Sequence, residues 1–260
     1  MLSSMIVVDA HEDIAYNYRA FNRDYRQSAY FKREHEIDLP HIANSGIATV
    51  GLPDGLIGRI GVVFATLFVA PRRKQASIYD AVTYTTAQEA YQQALHQWDY
   101  YQRLADEDEQ IRLVTTQADL DAVLATWQDG QPIEAACQGL VLLMEGADPI
   151  LEPKQFEEWY ERGVRIVGLA WEQTRYAGGT HYPGGLTALG RELLNGLADF
   201  RAILDLSHMA EEAFFEALDR FQGDNVIASH SNPRRFVDTD RQLSDVMIRR
   251  LAERDGVMGI

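Results

Sequence analysis

The chain has 260 residues, enough for one large domain with a sizeable core. Acidic residues outnumber basic ones 39 to 24, and the net charge of −15 argues against nucleic acid and against an anionic membrane surface as partners. The only cysteine, Cys137, excludes an intrachain disulfide, and no apolar run approaches the length of a transmembrane helix. The first apolar run, Met5-Ile6-Val7-Val8, starts so close to Met1 that no signal peptide is expected ahead of the fold, and a cytoplasmic location follows. That run predicts a strand ending in His11-Glu12-Asp13. A strand alternates its side chains, so His11 and Asp13 share a face and can reach one divalent ion, while Glu12 points away from both.

Further along, Gly51-Leu52-Pro53-Asp54-Gly55 predicts a turn between Ile47–Val50 and a strand over Gly61–Val69. A long helix is expected from Gln75 to Glu109, with Tyr84, Tyr91, Trp98 and Tyr101 as its packed face. Cys137 then precedes the run Gly139–Met144 and fits a structural thiol. That run leads into Glu145-Gly146. Helical spacing follows over Glu152–Arg162 and Gly190–Phe200. The run Ala202–Leu206 ends in Ser207-His208, with a helix over Met209–Phe221. Asn225–Ala228 ends in Ser229-His230-Ser231, and a last helix is expected over Leu243–Arg254. Short continuous apolar runs alternating with helices predict an α/β fold with a parallel sheet.

In a (β/α)₈ barrel the C-terminal ends of all strands meet at one mouth. His11, Asp13, Glu145, His208 and His230 would converge there, a set that suits two zinc-like ions sharing a carboxylate. Taken singly, a His after a strand is more often a hydrogen-bonded or surface residue, and a Glu before Gly a turn residue. Five such residues at one structural phase are hard to explain as independent accidents.

Asp9-Ala10-His11-Glu12-Asp13, Met144-Glu145-Gly146, Leu204-Asp205-Leu206-Ser207-His208 and Ala228-Ser229-His230-Ser231-Asn232 resemble, in order and spacing, the membrane (renal) dipeptidase family of zinc peptidases. Gly163–Leu169 looks like that family's fourth strand, and Gly184–Glu192 like the loop and helix after it. The resemblance implies a single (β/α)₈ TIM-like barrel domain over residues 1–260, with two Zn²⁺ ions. His11 and Asp13 would hold one ion and His208 and His230 the other, with Glu145 bridging as the catalytic carboxylate. A water shared by the ions would attack the carbonyl of a small dipeptide. Arg241 falls where the family places a substrate-binding Arg, able to clamp a dipeptide's carboxylate; it also fits a solvated residue at the start of a helix. Trp171 stands where the best-known members have a substrate-contacting His, and fits either a substrate contact or packing at the barrel rim. Glu12 replaces a frequent Asn, with only a structural effect expected. Gly256–Ile260 looks like the seventh barrel strand, so the eighth strand, its acid/base Asp and the C-terminal helices are not in this chain. A homodimer is an expected assembly, since family members are often dimers. Two alternatives stay open: a same-fold hydrolase of another small amide or a lactone, and a catalytically inactive truncated metal-binding relative.

Overall fold

The structure is a computed structural model and describes residues 5–40, 42–72 and 82–260. It divides into two compact units: residues up to Tyr84 with Leu95–Val141, and Thr85–Ala94 with Leu142–Ile260.

In the first unit, β1 (Val7–Glu12) pairs in parallel with β2 (Ile60–Phe68), with a register irregularity between Asp9 and Glu12. Val62, Val63, Ala65, Leu67 and Phe68 of β2 are buried, a near-continuous apolar strand covered on both faces. β3 (Ile111–Leu113) pairs in parallel with the first residues of β4 (Gln138–Glu145). Gln138, fully buried, accepts from the Tyr25 hydroxyl and donates to the Ile60 carbonyl, so its amide is satisfied at both ends. Cys137 is buried as well, as a structural thiol should be. Gly51–Gly55 does not form the expected turn: Leu52–Ile57 is helical, with Gly51 as its N-cap residue. Pro53 in the first turn explains the difference, because its fixed φ suits a helix start and its missing N–H would have no partner there. The long helix runs Ala87–Glu107. The expected Gln75 start lies partly outside the described residues, and Tyr84 is in an extended pair of residues, Thr83–Tyr84, rather than on the helix.

In the second unit the rest of β4 pairs in parallel with β5 (Val164–Gly168). The ladder continues in parallel through β6 (Ile203–Asp205), β7 (Val226–Ala228) and β8 (Val257–Met258). Helices Phe156–Glu161, Ala188–Asp199, Glu211–Arg220 and Asp245–Ala252 separate these strands, close to the expected spans. They bury Phe156, Trp159, Leu193, Leu197, Phe214 and Leu251. The fold class is α/β with parallel strands joined by helical crossovers, as the run pattern predicts. A short hairpin, Ala177–Gly179 with Tyr182–Leu186, is inserted after β5.

Candidate metal centre

Every sequence-predicted ligand sits just at or past the C-terminal end of a parallel strand. In the first unit His11 is the penultimate residue of β1 and Asp13 follows the strand, with His11 Nε2 3.7 Å from Asp13 Oδ1. Asp13 is the N-cap residue of helix Ile14–Phe21, yet its side chain makes no cap hydrogen bond. The Tyr101 hydroxyl accepts from the Ala15 N–H instead and donates to the Thr66 carbonyl. The Asp13 carboxylate is turned to the Thr66 hydroxyl, which donates to it at 2.6 Å. Glu12 has its pKa raised to about 9 by burial, reinforced by Asp9 and Asp13 and opposed by His11.

In the second unit Glu145, His208 and His230 come together. His208 Nε2 lies 3.1 Å from Glu145 Oε1, His230 Nε2 lies 3.3 Å from the same oxygen, and the two Nε2 atoms are 3.0 Å apart. Glu145 ends β4 and is only 5% exposed. The chain then turns at Gly146, whose φ of +81° is the left-handed region that glycine enters without cost. His208 itself holds φ +65°, an uncommon conformation for a residue with a Cβ and of the sort found at functional sites.

The protonation of the two imidazoles follows from their other nitrogens. The Thr180 hydroxyl sits 3.1 Å from His208 Nδ1 and 3.4 Å from the His208 carbonyl, so it can accept from an Nδ1–H while its own proton turns to the carbonyl. The Ser229 hydroxyl donates to Asp205 Oδ2 and lies 2.7 Å from His230 Nδ1, so it too accepts from Nδ1–H. His230 Nε2 then carries a lone pair. Burial pushes the His208 pKa down to about 4, with Arg241 and His230 acting in the same direction and Glu145 against, so this ring is neutral at pH 7. With both rings as Nδ1–H tautomers, two lone pairs and a carboxylate oxygen would face one another and repel unless a cation lay between them. Zinc with ligands at about 2.0–2.1 Å in a tetrahedron sets its donor atoms about 3.3 Å apart. The observed separations of 3.0–3.3 Å fit that ion.

The two expected substrate residues also flank this triad. Arg241 lies in the loop before helix Asp245–Ala252, outside the helix itself. It donates to the His230 carbonyl at 2.5 Å and to Ser231 Oγ at 3.2 Å. Trp171 is half-buried, its ring 6.1 Å from that of His208. Its loop is held by Arg175, which donates to Asp148 Oδ1 and to the carbonyls of Asp148, Ile150 and Leu151. Sequence reasoning missed Thr66, Thr180, Asp205 and Ser229. The signal available was the repeated Ser-His at two strand ends and a carboxylate inside the apolar run Ala202–Leu206.

Among the described residues no helix is long and apolar enough to cross a membrane. The sequence profile described as membrane dipeptidase (peptidase family M19) matches residues 1–260. An uncharacterized protein in the PQQ-III 3′ region of Acinetobacter calcoaceticus is 29% identical over 185 residues, 67% of this chain and 56% of that protein. The dipeptidase tcpJ of Claviceps purpurea is 27% identical over 209 residues, 78% of this chain and 46% of that one. The chain thus spans about half the length of these curated relatives. A metallo peptidase from Rhodobacter sphaeroides, solved with a phosphinate mimic of the dipeptide L-Ala-D-Ala, superposes with a TM-score of 0.75. It is 20% identical, and the match covers 98% of this chain and 73% of that one. The probable dipeptidase PvdM from Pseudomonas aeruginosa gives 0.75 at 18% identity, covering 98% and 59%. These likenesses show the fold, the TIM-like class that the family resemblance implies.

Proposed function

This chain belongs to the membrane dipeptidase family, and from that premise we propose that it hydrolyses dipeptides at a centre of two zinc ions. The observation that carries the reading is the convergence of His208 Nε2, His230 Nε2 and Glu145 Oε1 within 3.3 Å. In this reading His208, His230 and Glu145 would hold one ion, and His11 and Asp13 would hold a second. When bound, the ions activate water at neutral pH and polarise the scissile carbonyl.

The chain's own groups orient the substrate. A guanidinium has five N–H donors, and Arg241 gives one to the His230 carbonyl and one to Ser231 Oγ. The others suit the free carboxylate of a dipeptide in a bidentate pair. The Trp171 ring, half-buried beside His208, supplies an apolar wall for a side chain. The ligand of the Rhodobacter structure supports including dipeptides with a C-terminal D-residue among the candidate substrates. A cytoplasmic location is part of the proposal, supported by the acidic composition and the single, buried cysteine.

Elemental analysis and a dipeptide panel test the reading. Zinc at about two per chain with hydrolysis is expected. In Glu145→Gln, hydrolysis should fall by at least 10²-fold with reduced zinc content, since a neutral amide does not offset cationic charge. Undiminished hydrolysis by metal-free protein would sink the proposal. Trp171 in place of the expected His favours a second reading, a hydrolase of another small amide or a lactone. Turnover of a lactone with none of any dipeptide would select it.

A further inference from the structure

We infer that Asp205 is a positioning residue for the metal centre: through the Ser229 hydroxyl it holds His230 as the Nδ1–H tautomer and aims the Nε2 lone pair at the ion. The inference rests on the metal-peptidase reading for its purpose, but its geometry stands on the second unit alone. Asp205 ends β6 and is 2% exposed; Ser229 follows β7 and is 3% exposed. Oδ1 of Asp205 accepts the backbone N–H of Ser207 and of Ser229, both at 3.0 Å. Its Oδ2 accepts the Ser229 hydroxyl at 2.5 Å. A carboxylate can only accept, so the direction of that hydrogen bond is set by charge.

The proton count around Ser229 then closes. Its oxygen donates once, to Asp205, and has two acceptor sites. His230 Nδ1 lies 2.7 Å away and Ser207 Oγ 3.3 Å away, and each can donate to one of them. Ser207 Oγ in turn accepts the His230 backbone N–H at 3.2 Å, which fixes the residue as well as the ring. His208 is held differently. Its hydroxyl partner, Thr180, has a neutral carbonyl at 3.4 Å in place of a carboxylate to take its proton, a longer and weaker anchor. The two imidazoles therefore have unequal support, and the one backed by a buried carboxylate is His230. An outer carboxylate of this kind orients the ring and raises its basicity toward a metal.

The substitution that separates positioning from mere structure is Asp205→Asn. The amide oxygen keeps both backbone N–H bonds, while its NH₂ donates to Ser229 where a carboxylate oxygen accepted. The Ser229 proton then points at His230 Nδ1, and the ring must carry its own proton on Nε2, facing the centre. Two readouts are taken: long-range ¹H–¹⁵N spectra of histidine side chains in metal-free protein, and zinc affinity by chelator competition. Expected are Nδ1–H His230 in the unaltered chain, Nε2–H in Asp205→Asn, and zinc bound about 10- to 100-fold more weakly by the variant. If Asp205→Asn fails to fold, Ser229→Ala decides, because it leaves both backbone bonds to Asp205 intact. A mixed tautomer and about tenfold weaker zinc binding are then expected. The inference is overturned by an Nε2–H His230 in the unaltered chain, or by a folded variant with wild-type affinity, whether or not its tautomer changes. A chain with Nδ1–H His230 that binds no zinc would defeat the proposed function while leaving the tautomer assignment standing.

Discussion

At the scale of single residues, the candidate centre is a problem in proton placement. Each imidazole is paired at Nδ1 with a hydroxyl, Thr180 for His208 and Ser229 for His230, and the Ser229 proton is committed to a carboxylate. Glu12 shows the opposite use of burial, since its neighbours are acids. Its pKa of about 9 in the folded chain, against about 4.5 unfolded, means the native state keeps a proton that the unfolded state gives up. Stability from this group is fully present below the unfolded value and is lost as pH rises from about 4.5 to 9. Metal-free protein should therefore melt lower at pH 8.5 than at pH 5.5 in part because of Glu12, and Glu12→Gln should narrow that difference. Melting curves of both proteins at the two pH values check it; an unchanged difference would show that Glu12 titrates normally. The sequence expects Glu12 to point away from the ligands by strand alternation, but the register is irregular between Asp9 and Glu12, and Asp9, Asp13 and His11 all act on its carboxyl.

At the scale of elements, ligand placement depends on how each strand is left. β4 ends at Glu145 and the chain reverses at Gly146, where N–H groups of Gly146 and Ala147 continue the ladder to the carbonyls of Gly168 and Leu169. A Cβ at Gly146 would meet nothing closer than 3.7 Å, so space is available, but φ +81° is costly for any other residue. Gly146→Ala should lower stability by about 1–2 kcal/mol without a packing clash. A denaturant titration reads that directly, and a change near zero would mean the turn relaxes to a negative φ. The strands themselves were legible because they are short, apolar and buried on both faces. β3 was not, since Ile111-Arg112-Leu113 is three residues long with a charge at its centre. Leu52–Ile57 is a helix where a turn is expected, because Pro53 suits the first turn of a helix as well as a loop.

At the scale of the whole molecule, strand tips far apart in sequence serve as one class of position. Within the second unit, residues 63 and 85 positions apart, Glu145 to His208 and Glu145 to His230, are brought to 3.1 and 3.3 Å. An ion bound there ties β4, β6 and β7 together and favours the native state by mass action. At zinc a hundredfold above its dissociation constant the gain is about 2.7 kcal/mol. For a chain of this size that is a rise of about 5–10 °C in melting temperature. Scans with added zinc and with a chelator measure it, and coincident curves would mean that the triad binds no ion.

The sequence by itself determined the α/β class, the order of strands and helices, and the five ligand-type residues at strand ends. It could do so because those features are local: apolar runs set strands, helical spacing sets crossovers, and polar residues mark where a strand stops. Only the tertiary structure decided which nitrogen of each imidazole faces the centre, that Tyr101 relieves Asp13 of capping, and that Asp205 lies behind His230. Those depend on hydrogen bonds between residues 22 to 86 positions apart, whose partners are chosen by strand register and burial rather than by any neighbour in the chain.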